Sequence, residues 1–236
     1  MRVFKLLKYI ISFPKIVYFN FKVFDFHTAL KLPVFLHYHV KFGNLYKGCV
    51  EIKQHTLFPG MIKLGCGMGS PGVFTGSYPR YSGGGFIGAK TGGKIVFEGK
   101  AQIAGGFSLK ADNGGIIYLG DNFTANSYSF ISANKLIKFG KDCTLGWNVS
   151  VRDVDGHDIF LKDDDSKVPI NHNREVIIGE KVWIAAKVDI LKGTVIPDHC
   201  VIAYGTLVAG KVFTESNCII GGAPLKILKH SIDWSV

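Results

Sequence analysis

Aliphatic side chains recur at every sixth position in the C-terminal part of the chain. With one interruption at Thr214, the series runs Ile178, Ile184, Ile190, Ile196, Ile202, Val208 and Ile220. Small or β-branched residues such as Val182, Val188 and Thr194 follow four positions after each of them. A period of six fits neither an α-helix, with its period of 3.6, nor an amphipathic strand, with its period of two. It is typical of a solenoid with three flat faces, in which three hexads close one coil and each aliphatic residue points to the axis.

The same period extends upstream, interrupted by slips. The in-phase groups are Phe97, Ile103 and Leu109; Leu119, Ala125 and Ile131 after a slip of four residues; and Phe139, Leu145 and Val151 after a slip of two. We interpret each slip as a bulge at a corner of the solenoid. Residues 48–93 carry a degraded pattern, so we expect them to form imperfect first coils and a loop.

A polar segment interrupts the repeat between Val151 and Ile178. The spacing of 27 residues is not a multiple of six. Residues 152–176 are therefore expected to leave the coil as a loop.

The N-terminal arm combines basic and aromatic residues. Phe4, Leu7, Ile10 and Ile11 share one face of a predicted helix, and lysines lie on the other sides. The longest uncharged run is far shorter than the ~20 apolar residues that a membrane span requires. Two interpretations remain open and are compatible: residues 1–26 lie in the interface of an anionic membrane, or they pack on the protein's own core or a neighbouring subunit.

Charge is concentrated in this arm. The chain has 28 Lys and Arg residues against 18 Asp and Glu residues, a net charge of +10, and residues 1–50 contribute eight basic residues and one acid, a net +7. A nucleic-acid-binding protein would carry basic residues along its body, so that class is not favoured. The 29 glycines fit a chain with many corners, and 47% hydrophobic residues exclude a disordered one. Five cysteines without a C-x-x-C spacing indicate reduced, buried thiols and a cytoplasmic location. The basic arm would then dock on the inner face of the membrane.

We therefore predict an all-β fold, a parallel β-helix with a short amphipathic helical arm. Residues 1–47 would form the arm, residues 48–230 the β-helix domain with its loop, and residues 231–236 a C-terminal tail.

Several motifs of residues 115–230 resemble the hexapeptide-repeat acyltransferases, whose fold is the left-handed parallel β-helix. They are the stretches 122–126, 148–157 and 179–184, which read NFTAN, NVSVRDVDGH and GEKVWI, and the closing stretch 221–229, GGAPLKILK. The resemblance is strongest to the galactoside and maltose acetyltransferases and the polysaccharide O-acetyltransferases. Leu191, Pro197 and Tyr204 depart from the small residues that the pattern favours.

The resemblance implies that His157 is the general base. An imidazole suits this role because its ordinary pKa of about 6.5 lies close to the operating pH. Asp153, Asp155 or Asp158 would orient the ring, and Asp155 is the candidate that we carry forward. Asn126 and Asp153 are candidates for binding the acceptor, although Asn126 would equally suit a coil corner in the left-handed conformation.

The resemblance also implies acetyl-CoA as the acyl donor, bound between the subunits of a homotrimer. The corresponding candidates are Trp183, Ala185, Ala186, Tyr204, Gly205, Pro224, Lys226 and Lys229. Small residues would let the donor approach the backbone, and the two lysines would attract its phosphates. Trp183 would serve equally well for packing at a subunit seam.

We expect an O-acetyltransferase that acts on a sugar or a surface polysaccharide, including a lipid-linked one. The alternatives are an N-acetyltransferase for a nucleotide-linked amino sugar and a non-catalytic β-helix assembly module. No metal is expected, because no third histidine accompanies His157 and His172 at the spacing of a β-helical zinc enzyme.

Overall fold

The computed structural model describes residues 2–65, 84–163 and 165–235. Residues 66–83, which belong to the stretch expected to form imperfect first coils and a loop, lie outside this range. Two N-terminal helices, α1 (Arg2–Val23) and α2 (Phe26–Leu30), precede a long series of short strands. The strands form three sheets, and successive strands along the chain pass from one sheet to the next.

The first sheet has nine strands in the following order: β1 (Val34–Leu36), β4 (Ile62–Leu64), β7 (Ala101–Ile103), β10 (Phe123–Ala125), β13 (Thr144–Leu145), β16 (Trp183–Ile184), β19 (Val201–Ile202), β21 (Ile219–Gly221) and β22 (Lys226–Lys229). The second has seven: β2 (Val40–Gly43), β5 (Gly85–Ala89), β8 (Phe107–Ala111), β11 (Phe130–Ala133), β14 (Ser150–Arg152), β17 (Asp189–Leu191) and β20 (Leu207–Ala209). The third has six: β3 (Val50–Ile52), β6 (Lys94–Phe97), β9 (Ile116–Leu119), β12 (Leu136–Phe139), β15 (Val176–Ile178) and β18 (Val195–Ile196).

The residues of the six-residue period fill the interior of this solenoid. Ile178 pairs with Ile196 in the third sheet, Ile184 with Ile202 in the first and Ile190 with Val208 in the second, and all six are at most 1% exposed. The pairings are parallel, so identical positions of successive coils stack along the axis. The predicted fold class, a left-handed parallel β-helix with a short helical arm, is confirmed.

The slips of the period correspond to longer coils. Paired residues are 18 positions apart where Ile178 meets Ile196, 20 apart where Leu119 meets Phe139, and 22 apart where Phe97 meets Leu119. Phe139 and Ile178 also pair, although 39 positions separate them. The 21 residues beyond a regular coil of 18 are accommodated in the loop of residues 153–175 between β14 and β15.

The N-terminal helices close the open end of the solenoid. Ile16, Phe19 and Val23 of α1 are buried in the same hydrophobic cluster as the first coil. Strands β1 and β2 already belong to the parallel sheets. The boundary expected at residue 47 therefore falls within the first coil.

The other end closes with a reversal of direction. Strand β22 pairs antiparallel with β21, in contrast to the parallel pairs before it. The tail then folds back, so that Trp234 donates through Nε1 to the carbonyl of Lys181 at 3.0 Å.

The cysteines that the structure describes, Cys49, Cys143, Cys200 and Cys218, are buried free thiols. Burial raises the pKa of Cys143 to about 12. Cys66 lies outside the described residues. No helix within the described part of the chain is long and apolar enough to cross a bilayer.

Candidate active site

The loop begins at a buried aspartate. Asp153 is 0% exposed, and its two carboxylate oxygens accept hydrogen bonds of 2.7 Å from the backbone N–H groups of Asn134 and Lys135. Burial raises the pKa of this carboxyl above its ordinary value, although the backbone bonds act in the opposite direction. Asp153 therefore fixes the corner from which the loop departs. Its oxygens face backbone amides in the interior, and the acceptor-binding role expected for it from the sequence stays a prediction.

One asparagine holds together the segment of the loop around His157. The Nδ2 group of Asn171 donates to the carboxylate of Asp155 at 2.9 Å and to the carbonyl of His157 at 2.8 Å. Its Oδ1 atom accepts from the backbone N–H of Ile159 at 2.8 Å. Asn171 thus forms hydrogen bonds with His157 and with the residues two positions before and after it, Asp155 and Ile159. Its side chain defines the path of residues 155–159.

A lysine from the next coil ties this network to the solenoid. The Nζ group of Lys192 contacts the Asp155 carboxylate and donates to the carbonyl of Asn171 at 2.6 Å. The bonds from Lys192 and then from Asn171 lower the pKa of Asp155, so its carboxylate is ionised at neutral pH. No hydrogen bond joins Asp155 to the His157 ring within the described chain. Asp155 anchors the loop base, which differs from the ring-orienting role expected for it.

His157 presents its imidazole to solvent. The residue is exposed, and its ring has no hydrogen-bond partner among residues 2–65, 84–163 and 165–235. Asp158 is likewise exposed and carries no bond to the ring. An imidazole held only through its backbone retains both ring nitrogens for an incoming hydroxyl group and for a group from another chain.

The residues predicted to bind acceptor and donor lie along a different corner, where the first sheet turns into the second. The N–H groups of Asn126, Gly146, Ala185 and Ala203 donate to carbonyls of the next coil, so the four residues stack along the axis. The left-handed alternative for Asn126 does not apply, because the positive φ values are at its neighbours Asn122 and Asn148.

Close backbone approach marks this corner. A Cβ atom on Gly146 would lie 2.6 Å from the backbone nitrogen of Ala186, so a side chain would collide with the next coil. Ala185 and Ala186 continue the series of small residues. Successive coils are therefore in close contact at this corner, which only small side chains allow.

The next layer adds an exposed aromatic ring and a cation. Tyr204 is 59% exposed, and the Nζ group of Lys187 lies 5.5 Å from its ring centroid. Gly205 follows with φ +69°, and the position that a Cβ atom would take there has no neighbour within 4 Å. Tyr204 therefore offers a stacking surface beside the series of small residues.

Trp183 lies on the outer surface of the first sheet. Its ring centroid is 6.1 Å from that of Trp234 in the tail, yet 41% of the residue is exposed. The tail covers one side of the indole, so packing accounts for part of its environment.

The remaining candidates lie on the terminal hairpin. Pro224 precedes β22, whose Lys226 pairs with Gly221 while Lys229 pairs with Ile219. Pro224 and both lysines are exposed, and neither ammonium group forms an ion pair in the described part of the chain. The lysines lie at opposite ends of a four-residue strand, about 10 Å apart.

The candidates consequently form two groups within one chain. Asn126, Ala185, Ala186, Tyr204 and Gly205 share the corner between the first and second sheets. His157 extends from the corner between the second and third sheets. The full width of the second sheet separates the two groups.

Sequence reasoning missed Asn171 and Lys192. Asn171 lies in the irregular loop, and Lys192 lies at an outward position of the repeat, which the six-residue period of interior residues does not mark. Six acids between residues 153 and 165 favour instead a carboxylate partner for His157. The described residues contain no group of three or more His, Cys, Asp or Glu side chains arranged to hold a metal ion.

Comparison with known proteins connects this geometry to acetyl transfer. No model of a known protein family matches the chain. It is 28% identical over 144 residues to WbbJ of Escherichia coli K12, named as a lipopolysaccharide biosynthesis O-acetyl transferase, with 58% of the chain and 72% of WbbJ covered. It is 31% identical over 151 residues to a polysialic acid O-acetyltransferase of Escherichia coli O1:K1, with 64% of the chain covered but only 41% of that relative.

Among solved structures, the polysialic-acid-specific acetyltransferase NeuO superposes with a TM-score of 0.43 and 25% sequence identity, covering 64% of this chain and 65% of NeuO. A TM-score at this level does not by itself establish a common fold.

Proposed function

Because the chain belongs to the hexapeptide-repeat acyltransferases, we propose that it transfers an acetyl group from acetyl-CoA to a hydroxyl group of a surface glycan. The single observation that carries this proposal is the His157 loop, held by Asn171 and Lys192 so that the imidazole faces outward from the repeat. The similarity to enzymes named for lipopolysaccharide and polysialic acid supports a glycan as the acceptor.

In the proposed reaction, His157 takes the proton of the acceptor hydroxyl while the oxygen attacks the thioester carbonyl carbon. The new carbon–oxygen bond forms, the carbon–sulfur bond breaks, and the imidazolium returns its proton to the departing thiolate. Atoms and charge balance without a covalent enzyme intermediate. Backbone N–H groups near the donor would stabilise the oxyanion.

The donor would lie along the corner of small residues. The small side chains of Ala185 and Ala186 would let the pantetheine arm approach this corner closely, and Tyr204 would supply a surface for stacking. Lys226 and Lys229, exposed and without ion pairs in the described chain, would attract the phosphates. The exposed indole of Trp183 would line the same region.

We further propose that the site forms between copies of the chain in a homotrimer. His157 and the donor corner lie at different corners of one solenoid, so one copy does not bring them together. A neighbouring copy that presents its donor corner to the loop would complete the site. Asn126 would then face the acceptor from that neighbouring copy.

The cytoplasm is the proposed location of this reaction. An odd number of cysteines and an acetyl-CoA donor both favour a reducing compartment.

Substitution of His157 by Ala tests the reaction. We expect acetyl transfer, followed by release of the coenzyme thiol, to fall by about a hundredfold or more, because general base catalysis contributes about 10²–10⁴-fold. Binding of acetyl-CoA, followed by calorimetry, should persist. A His172→Ala variant is the matched control, because this exposed histidine lies in the same loop outside the Asn171 network. Undiminished turnover of the His157→Ala variant would exclude the mechanism.

A panel of acceptors separates O-transfer from N-transfer. Oligosaccharides with free hydroxyl groups only should accept acetyl, and mass spectrometry should locate an ester that mild base removes. Acetylation restricted to free amino groups would replace the proposal with the N-acetyltransferase alternative.

A further inference from the structure

The helix α1 has one face that is fully used by the fold. Ile16, Phe19 and Val23 are buried in the core, and Asn20 is 0% exposed. The amide of Asn20 donates from Nδ2 to the carbonyl of Val34 and accepts from its N–H group at Oδ1, at 2.8 and 3.2 Å. Val34 belongs to the edge strand β1, which has no preceding strand in the described sheet. The helix therefore takes the place of a preceding coil, and its other face points away from the solenoid.

That outer face is apolar. The exposed side chains of α1 and α2 include seven large hydrophobic residues that are between 36% and 61% exposed: Ile10, Ile11, Phe13, Tyr18, Phe21, Phe26 and Leu30. We call these seven residues the outer face. The rings of Phe21 and Phe26 meet at 5.9 Å between centroids, so the surface continues from one helix to the other. An apolar surface of this size on a soluble protein marks an interaction site.

The N-terminal part of the chain that carries the outer face is also rich in exposed positive charge. Lys22, Lys31, Lys41 and Lys47 of the first 50 residues are all exposed. The single acid of the first 50 residues, Asp25, accepts from the backbone N–H of Thr28 at 3.1 Å as the N-cap of α2. The exposed lysines of this end therefore face outward with little compensating charge.

We propose that this end of the solenoid docks on an anionic membrane, with the outer face in the acyl boundary and the lysines at the headgroups. Apolar contact and electrostatic attraction add at such a surface, and each basic residue near it strengthens binding. A second copy of the chain is a poor occupant, because two strongly basic ends would meet face to face and repel. The two interpretations of the N-terminal arm are therefore compatible: one face of α1 packs on the core, and the other face is available to lipid.

Docking at this end sets the height of the catalytic loop, a consequence that rests on the proposed function. Strand β14, from which the loop leaves, is the fifth strand of its sheet from the capped end. Four strand spacings of about 4.8 Å and one helix diameter of about 10 Å place it about 30 Å from the lipid surface. The acceptor would therefore be a glycan that extends several sugar units from its lipid anchor.

Vesicle flotation with the full chain tests the docking. Phosphatidylcholine vesicles with and without one quarter phosphatidylglycerol are mixed with protein in the absence of acetyl donor and acceptor. We expect at least tenfold more protein on the anionic vesicles, and a large decrease in 0.5 M NaCl because salt screens exposed charges. Equal binding to both vesicle types, or no binding to either, would overturn the proposal.

Two variants divide the contributions. Lys22→Glu/Lys31→Glu/Lys47→Glu should reduce anionic-vesicle binding at least tenfold, and so should Tyr18→Ser/Phe21→Ser/Phe26→Ser. The matched control is Lys211→Glu/Val212→Ser, which changes an exposed lysine and an exposed apolar residue near the opposite end. Thermal melts establish that each variant is folded. Unchanged flotation of both test variants would contradict the inference. A parent chain that does not float, together with a serine variant of changed oligomeric mass, would contradict it too, because the outer face would then be a contact between copies.

Failure of docking and failure of the proposed reaction are distinguishable. A chain that acetylates a water-soluble oligosaccharide but does not float contradicts only the docking. A chain that floats but acetylates no acceptor contradicts only the reaction.

Discussion

At the residue scale, Asn171 shows how a single side-chain amide can fix the path of a loop segment. It donates two hydrogen bonds and accepts a third, to residues on both sides of His157 and to His157 itself. No bond of the described chain restrains the His157 ring directly, so its position depends on the backbone that Asn171 holds. A displacement of about 1 Å at a catalytic group is enough to slow a reaction by about a hundredfold.

Replacement of Asn171 by Ala should therefore lower kcat by about tenfold or more while leaving the KM for acetyl-CoA unchanged. The residues proposed to hold the donor lie on the corner of the solenoid and on the terminal hairpin, not on the loop that Asn171 holds, which is why the KM should not respond. The apparent pKa in the pH–rate profile should remain that of the parent enzyme, because the base itself is intact. Asn173→Ala is the matched control, since that asparagine lies in the same loop and makes no hydrogen bond to the described residues 155–159. Equal kcat values for the two variants would show that Asn171 does not position the histidine.

Asp153 gives a prediction about stability and pH. Its pKa is raised in the fold, so the folded chain binds the proton more tightly than the unfolded chain. From the ordinary carboxyl pKa near 3.9 up to the raised value, this group makes the free energy of unfolding decrease as pH rises, by at most about 1.4 kcal/mol per pH unit. Asp153→Asn does not titrate, so the stability of the parent relative to this variant should fall over that interval and then level off. Urea unfolding at a series of pH values measures the free energy of unfolding of the parent minus that of the variant. If this difference increases with pH, the hydrogen bonds from backbone N–H groups to the carboxylate outweigh the effect of its burial.

The chemistry of His157 can be anticipated from the sequence, but its surroundings cannot. The resemblance places the histidine just after a break in the repeat. The partners of the loop are set by hydrogen bonds among irregular residues, and side-chain geometry of this kind has no periodic signal. From the sequence, Asp153 is expected to contact the acceptor and Asp155 the ring of His157. In the structure, Asp153 accepts hydrogen bonds from backbone N–H groups, and Asp155 contacts Lys192.

At the scale of elements, the six-residue period determines most of the solenoid. Phe97, Leu119, Phe139 and Ile178 each belong to an in-phase group despite mutual spacings of 22, 20 and 39 residues, and they pair in register in the third sheet. Apolar side chains fill most of the interior, so the period persists wherever a coil closes. The first coils lack this signal because their spacings are irregular: Val34 pairs with Ile62 and Val40 with Gly85, 28 and 45 residues away.

The N-terminal cap is an element whose removal should expose a sheet edge. Asn20→Ala would leave the N–H and carbonyl groups of Val34 without their partners in a buried position. We expect the free energy of unfolding to fall by about 2–4 kcal/mol, since each unsatisfied buried group costs about 1–3 kcal/mol. Lys22→Ala on the same helix is the control and should change stability by less than about 0.5 kcal/mol, because this side chain is exposed. Chemical denaturation measures both, and equal stabilities would mean that the helix does not replace a coil.

At the scale of the whole molecule, the solenoid separates three surfaces. The capped end carries the outer face and most of the net charge, the corner between the second and third sheets carries His157, and the corner between the first and second sheets carries the proposed donor site. A rigid stack of coils fixes the distances between them. If the proposed function holds, catalysis depends on how copies of the chain are arranged around one another.

Complementation between two inactive variants tests that arrangement. In a trimer, each site would combine His157 of one copy with Asn126 of its neighbour. The His157→Ala and Asn126→Ala chains are co-expressed in equal amounts and assemble at random. A site is then intact when the Asn126→Ala chain supplies its loop, with His157, and the His157→Ala chain supplies its corner, with Asn126. We therefore expect about one quarter of the parent activity per site in the mixture, against almost none for either variant alone. Mixing the purified variants after assembly should restore nothing, because intact trimers do not exchange chains on the time scale of the assay. A co-expressed mixture as inactive as its components would show that both residues act within one chain, and a neighbouring copy would then have no part in the reaction.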